Sequence, residues 1–181
     1  MVLIVLGLAL WSLSHLFKRI APSFRAEMGD RAKGLVAAAS FVGIVLMVFG
    51  YRGAEVVDVW YPSAAMRHVN NLLMLVSIYL FAASGMKTAI ARKFRHPMLI
   101  GVILWAVAHL LVNGDLASII LFGGMLVWAV LSIVMINRAE PEWNRPLPAP
   151  KGKEIGALVG AVIVLGAIGF IHSLLGYPPF G

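Results

Sequence analysis

The chain has 181 residues, of which 61% are hydrophobic and only 13% charged, with a mean hydropathy of +0.91. A water-soluble domain carries about 25% charged residues, and a chain this short has too little interior to hide so much apolar surface. Cysteine is absent, which excludes disulfides, thiolate metal sites and cysteine nucleophiles.

Six uncharged runs follow in order: 1–17, 35–51, 68–86, 97–114, 116–137 and 155–181. A hydrocarbon core of about 30 Å takes roughly 17–25 helical residues to cross. Lipid offers no partner to backbone polar groups, so each crossing closes its own hydrogen bonds as a helix. The ten-residue alternating pattern of a membrane barrel is missing. The fold class expected is therefore all-α: a polytopic membrane protein, a bundle of six transmembrane helices. Lys18 and Arg19 follow the first run instead of preceding it, so that run reads as a span and not as a cleaved leader.

Lysine and arginine set the direction. The first connection holds Lys18, Arg19, Arg25, Arg31 and Lys33; the third Lys87, Arg92, Lys93 and Arg95; the fifth Arg138, Arg145, Lys151 and Lys153. The second holds only Arg52 and Arg67, and the fourth none. Positive residues collect on the cytoplasmic side, so connections one, three and five belong there and both termini lie opposite. The net charge of +7 is thus a topology signal and a membrane-surface charge. No room remains for a basic nucleic-acid-binding module, and the expected surroundings are the bilayer.

Pro22 ends the first helix or starts a short interfacial one, and Asp30 is placed to cap the second span. Asn113-Gly114-Asp115 reads as a tight turn, with Asp115 capping the fifth span. The stretch 141–150 (PEWNRPLPAP) reads as extended. These marks divide the chain into a five-helix unit (1–140), a Pro-rich cytoplasmic linker (141–154), and a sixth helix with a short tail (155–181). Trp60, Tyr61, Trp143 and Tyr177 fall near water boundaries, where aromatic belts form. Small residues four apart, Ala39 with Gly43, Gly156 with Gly160 and Ala157 with Ala161, allow helices to approach closely.

No acid falls within a span, so the carboxylate relay of a pump is missing, as are zinc-protease and phosphate-loop motifs. The chemistry-bearing residues are the histidines His15, His68, His96, His109 and His172, all in or at the ends of spans. Neutral imidazole binds haem iron and other metals, and also carries protons. In the fourth span Gly101, Trp105, His109 and Asn113 recur every four residues on one stripe. Such a face suits a large planar ligand: glycine leaves space, tryptophan packs on a ring, histidine coordinates. Packing in a bundle interior accounts for the same stripe. His15 shares a face with Trp11, Ser12 and Arg19, His68 with Asn71 and Leu75, and His172 is flanked by Gly169 and Gly176, which leave room.

The stretch RHPMLIGVILWAVAHLLVNGDLAS, from Arg95 to Ser118, resembles the NnrU family, and the span layout and early His15 extend the resemblance over most of the chain. NnrU proteins are bacterial integral membrane proteins associated with nitrite and nitric oxide reduction. Their superfamily includes the zeta-carotene isomerases, which use haem b to isomerise a cis double bond of a polyene. The resemblance implies haem b as cofactor, His15 and His109 as axial ligands of the iron, and a bacterial inner-membrane location. It implies a redox or accessory role beside a membrane reductase, with isomerisation of a lipophilic polyene, or a non-enzymatic role as partner of a reductase complex, as alternatives. The isomerases carry a cysteine three residues before the second ligand, where this chain has Ala106.

Upright helices set His15 and His109 roughly 15 Å apart in depth, at ~1.5 Å per residue. On depth alone His68, His109 and His172 gather near the non-cytoplasmic face, with Arg67 placed to meet haem propionates. His68 and His172 therefore stand as alternate ligands.

Overall fold

The structure, a computed structural model, describes residues 1–180. Eight helices run in the order α1 (Val2–Ile20), α2 (Pro22–Glu27), α3 (Arg31–Arg52), α4 (Ala64–Met86), α5 (Ala89–Lys93), α6 (Pro97–Val112), α7 (Leu116–Ala139) and α8 (Lys151–Leu174). Among the described residues the one sheet-like pairing is an isolated antiparallel bridge between Asp58 and Asp115. Five helices, α1, α3, α4, α7 and α8, are long and apolar enough to cross a bilayer. The chain is a multi-pass helical membrane protein.

This corrects the expectation of six transmembrane helices to five helices of spanning length and a shorter apolar one. The run 97–114 contains only 16 helical residues, about 24 Å of helix against a hydrocarbon core of about 30 Å. Asn113 leaves helical geometry at φ −120°, ψ 99°, and the Asn113-Gly114 turn ends α6 inside the uncharged run. The linker also differs from its expected bounds. Helix α8 begins at Lys151, directly after Pro150, so only 140–150 is irregular.

The helices pack as two units that interleave along the chain: one of 1–60 and 114–141, the other of 61–113 and 142–181. This grouping cuts across the linear division at 140 and 154, because packing partners, not linker composition, decide it.

In the first unit α1 packs on both α3 and α7. The α1–α3 crossing is very close. A Cβ on Gly7 would lie 2.6 Å from the Gly43 carbonyl oxygen and 2.8 Å from the Met47 amide nitrogen. A Cβ on Gly50 would lie 2.7 Å from the Ile4 nitrogen, and one on Gly43 3.1 Å from the Gly7 oxygen. Glycines on both helices let the backbones touch, which is how membrane helices gain packing without a hydrophobic drive. Ser14 and Ser40 join hydroxyls across the same crossing at 3.0 Å. Arg19 pairs with Glu140 at 2.8 Å, so the ends of α1 and α7 lie together.

Asp115 caps α7 as the sequence suggests. Its carboxylate accepts from Ser118 N at 2.9 Å and from Ser118 Oγ at 2.5 Å, and Ser118 Oγ also meets the Tyr51 hydroxyl at 2.8 Å. Leu116 N donates to Val57 O at 2.9 Å and Val59 N to Gly114 O at 2.8 Å, tying segment 57–60 to the start of α7. Asp115→Ala is expected to lower stability by about 1 kcal/mol, the usual worth of an N-cap, as read by denaturant unfolding in detergent. Asp30 occupies the cap position of α3 but makes no cap bond; its carboxylate instead pairs with Lys33 at 2.7 Å. Pro22 stands at the first position of the short helix α2.

In the second unit α4 packs on α6 and α8. Buried Ser77 donates from Oγ to the Gly101 carbonyl at 2.8 Å. Seven residues earlier, buried Asn70 lies 3.0 Å from the Ala108 carbonyl, with its amide turned to donate. The α4–α8 contact uses Ala157 and Ala161, both fully buried, while nothing lies near Gly160. Glu154 in the first turn of α8 accepts from Ala89 N at 2.7 Å, joining α8 to the start of α5.

Candidate functional site

The α6 stripe is a connected column. His109 Nδ1 lies 2.9 Å from the Trp105 carbonyl, the Trp105 and His109 rings sit 5.1 Å apart with planes tilted by 51°, and Asn113 Nδ2 donates to His109 O at 2.9 Å. Gly101 does not open a space for a ligand as the stripe suggests. Ser77 O and the Phe81 ring fill the place of its Cβ, at 3.1 and 3.3 Å. That glycine serves the α4–α6 crossing.

The second unit also holds His68 and His172. His172 Nδ1 lies 2.8 Å from the Ile168 carbonyl. His68 is exposed near the start of α4 and makes no side-chain hydrogen bond among the described residues, and Arg67 beside it is exposed too. Of the three histidines grouped by depth, His109 and His172 are each held by a carbonyl of their own helix and His68 is not. The room expected around His172 is partly taken. The Phe180 ring occupies the place of a Gly169 Cβ, and the tail returns to α4, where Asn71 Nδ2 donates to Pro179 O at 3.0 Å. Gly176, at φ +89°, turns the chain after α8, a conformation that favours glycine.

In the first unit His15 sits in an aromatic group. Its ring lies 4.0 Å from Trp11 at 30° and 5.3 Å from Trp128 at 76°, with Trp11 and Trp128 edge to face at 5.4 Å. Such aromatic pairs add about 0.5–1.5 kcal/mol beyond their area. His15 Nδ1 lies 2.9 Å from the Trp11 carbonyl. The indole nitrogens of Trp11 and of Trp128, which is 7% exposed, are buried and find no acceptor among the described residues. Trp128 was not singled out by sequence reasoning; it lies on α7, far along the chain from His15, and no spacing rule links them.

One geometry recurs at His15, His109 and His172. A carbonyl only accepts, so Nδ1 must carry the hydrogen and donate to the carbonyl four residues earlier. In the neutral ring Nε2 then holds the lone pair. This is the tautomer of a metal-ligating histidine whose other nitrogen is held by a backbone carbonyl. At His15 and His172 Nε2 has no partner among the described residues.

His96 is the N-cap residue of α6, followed by Pro97 at the first helical position, and Arg95 Nη2 donates to Glu142 O at 3.2 Å. The Arg95-His96-Pro97 stretch therefore starts a helix. The family model described as NnrU protein matches residues 3–179, nearly the whole chain. The chain belongs to the NnrU family. No curated protein and no solved structure matches it. In this NnrU protein the resemblance-implied pair is divided: His15 belongs to the first unit and His109 to the second.

Proposed function

We propose that this NnrU protein binds haem b in the bacterial inner membrane through His15 and His109 and serves a redox or accessory step of nitrite and nitric oxide reduction. Family membership supports the setting. The observation that supports the ligand reading is the shared tautomer, in which a helix carbonyl accepts from Nδ1 and the lone pair of the neutral ring lies on Nε2. A haem needs only one or two such donors, because the porphyrin supplies the rest. The acceptor-less indole N–H groups of Trp11 and Trp128 are suited to a carboxylate such as a propionate. Arg67 and the alternates His68 and His172 belong to the same proposal as a second way of holding the group.

When bound, the haem would supply one-electron chemistry; the protein's part is to orient two imidazoles, His15 and His109. The isomerase alternative is less favoured, because the position of its cysteine is Ala106, fully buried and unable to offer a thiolate. The short helix α6 acts in this reading as a sixth, shallow crossing. With α6 as a sixth crossing, the 13 to 2 division of Lys and Arg between connections supports an orientation with both termini on the non-cytoplasmic side.

The test is the reduced-minus-oxidised absorption spectrum of protein purified in detergent from haem-replete cells. The expected result is a Soret band with α and β bands of six-coordinate haem b near one equivalent. Protein free of haem under those conditions overturns the reading and leaves a non-enzymatic partner of a reductase complex.

A further inference from the structure

We propose that Trp11 and Trp105 are positioning residues that hold His15 and His109 through a repeated Trp-x-x-x-His unit. The unit occurs as Trp11–His15 on α1 and as Trp105–His109 on α6. In both, the imidazole Nδ1 donates to the carbonyl of the tryptophan itself, at 2.9 Å. In both, the indole then lies against the imidazole, at 4.0 Å and 30° for the first and 5.1 Å and 51° for the second.

The carbonyl alone does not need tryptophan. His172 makes the same bond to Ile168, at 2.8 Å, with no indole beside it. What tryptophan adds is a wall. A residue four positions earlier on a helix lies directly against the later side chain. The carbonyl sets which nitrogen bears the hydrogen; the indole restricts ring rotation and closes one face to lipid and water. Each helix thus presents Nε2 in one direction. The tighter stack, with Trp128 edge-on at 5.3 Å, makes His15 the more firmly held of the two.

As far as it concerns iron, this inference rests on the haem reading above, so the experiment has two arms. In the first, protein purified without haem and labelled with 15N-histidine is read by NMR. Wild type should show the Nδ1–H tautomer at His15 and His109 with narrow ring signals. Trp11→Leu and Trp105→Leu should each give exchange-broadened or mixed-tautomer signals at their own histidine only. Trp11→Phe, which keeps a flat face, should restore most of the signal, and Trp143→Leu should change nothing.

In the second arm haem is titrated into the same variants. Loss of an outer-shell partner of a ligating histidine usually costs about 10–100-fold in metal affinity. Trp11→Leu should show such a loss, with a fall in the low-spin fraction by electron paramagnetic resonance, and Trp105→Leu a smaller one. Wild-type tautomer signals in both leucine variants overturn the positioning role, whether or not haem binds. Wild-type protein that takes up no haem overturns the haem reading alone. Equal changes in Trp143→Leu also overturn the proposal, because they show a general loosening of the fold.

Discussion

With haem b held as proposed, His109→Ala is expected to abolish the low-spin haem signal, and His15→Ala to do the same, while His68→Ala and His172→Ala retain it. His109 is half-buried on the shortest apolar helix, with its ring held by the Trp105 carbonyl and indole while Asn113 donates to its backbone carbonyl. Removing one of the two imidazoles that would hold the haem would weaken its hold and shift the spectrum towards high spin. His68 lacks the carbonyl bond that orients the other rings, so its loss should leave spectrum and haem content unchanged. Loss of haem through unfolding is separated by His109→Met, in which a thioether replaces imidazole and haem binding persists with a raised potential. Retention of a wild-type spectrum in His109→Ala, with loss in His172→Ala, would move the ligand to α8.

Gly7→Ala is expected to lower stability by about 1–3 kcal/mol, the range for overpacking a well-filled contact. The added methyl would meet the Gly43 oxygen and the Met47 nitrogen, both backbone atoms, so no side-chain rotation can relieve it. Helix α1 must move away from α3, and Trp11, whose backbone nitrogen would lie 3.2 Å from a Cβ on Gly43, moves with it. Thermal unfolding in detergent should show the loss. The contrast is Gly160→Ala, where nothing lies within 4 Å and stability should hold or rise slightly through better helix propensity. A Gly7→Ala protein as stable as wild type would mean that the α1–α3 crossing is looser than described.

Much of the architecture is legible in the sequence because the bilayer leaves so few choices. Long uncharged runs between basic connections can hardly be anything but helices, and Asp115 caps α7 because the first-turn N–H groups of that helix need an acceptor. Helix length is less legible. The turn at Asn113-Gly114-Asp115 is visible in the sequence, but an absence of charge carries the run on to Gly114, whereas Asn113 takes extended geometry and ends α6 at Val112. Partner choice is the least legible of all. Gly156 and Gly160 and the neighbouring Ala157 and Ala161 have the same spacing, and it is the alanine face that packs, fully buried. Gly7 and Gly50 carry no local pattern that marks them, because their role depends on residues of another helix.

The candidate ligands show the same division. That His109 and Trp105 share a face follows from a period of 3.6, and the carbonyl four residues back is within reach of any histidine on a helix. The edge-on approach of Trp128 to His15 depends on α7 settling beside α1, which no spacing along the chain encodes. Gly101 illustrates the opposite error: a missing side chain suggests an opening, but the helix next door had already moved in.

The interleaving of the two units has a consequence for biogenesis. As the chain leaves the ribosome, α1 and α3 enter the membrane well before α7, and the whole of α4 to α6 must be inserted in between. His15 therefore stays without the flank supplied by Trp128 until most of the protein has been synthesised. Any cofactor that depends on that flank is loaded late, onto a nearly finished polypeptide, and a chain stalled after α6 would offer only an incomplete seat.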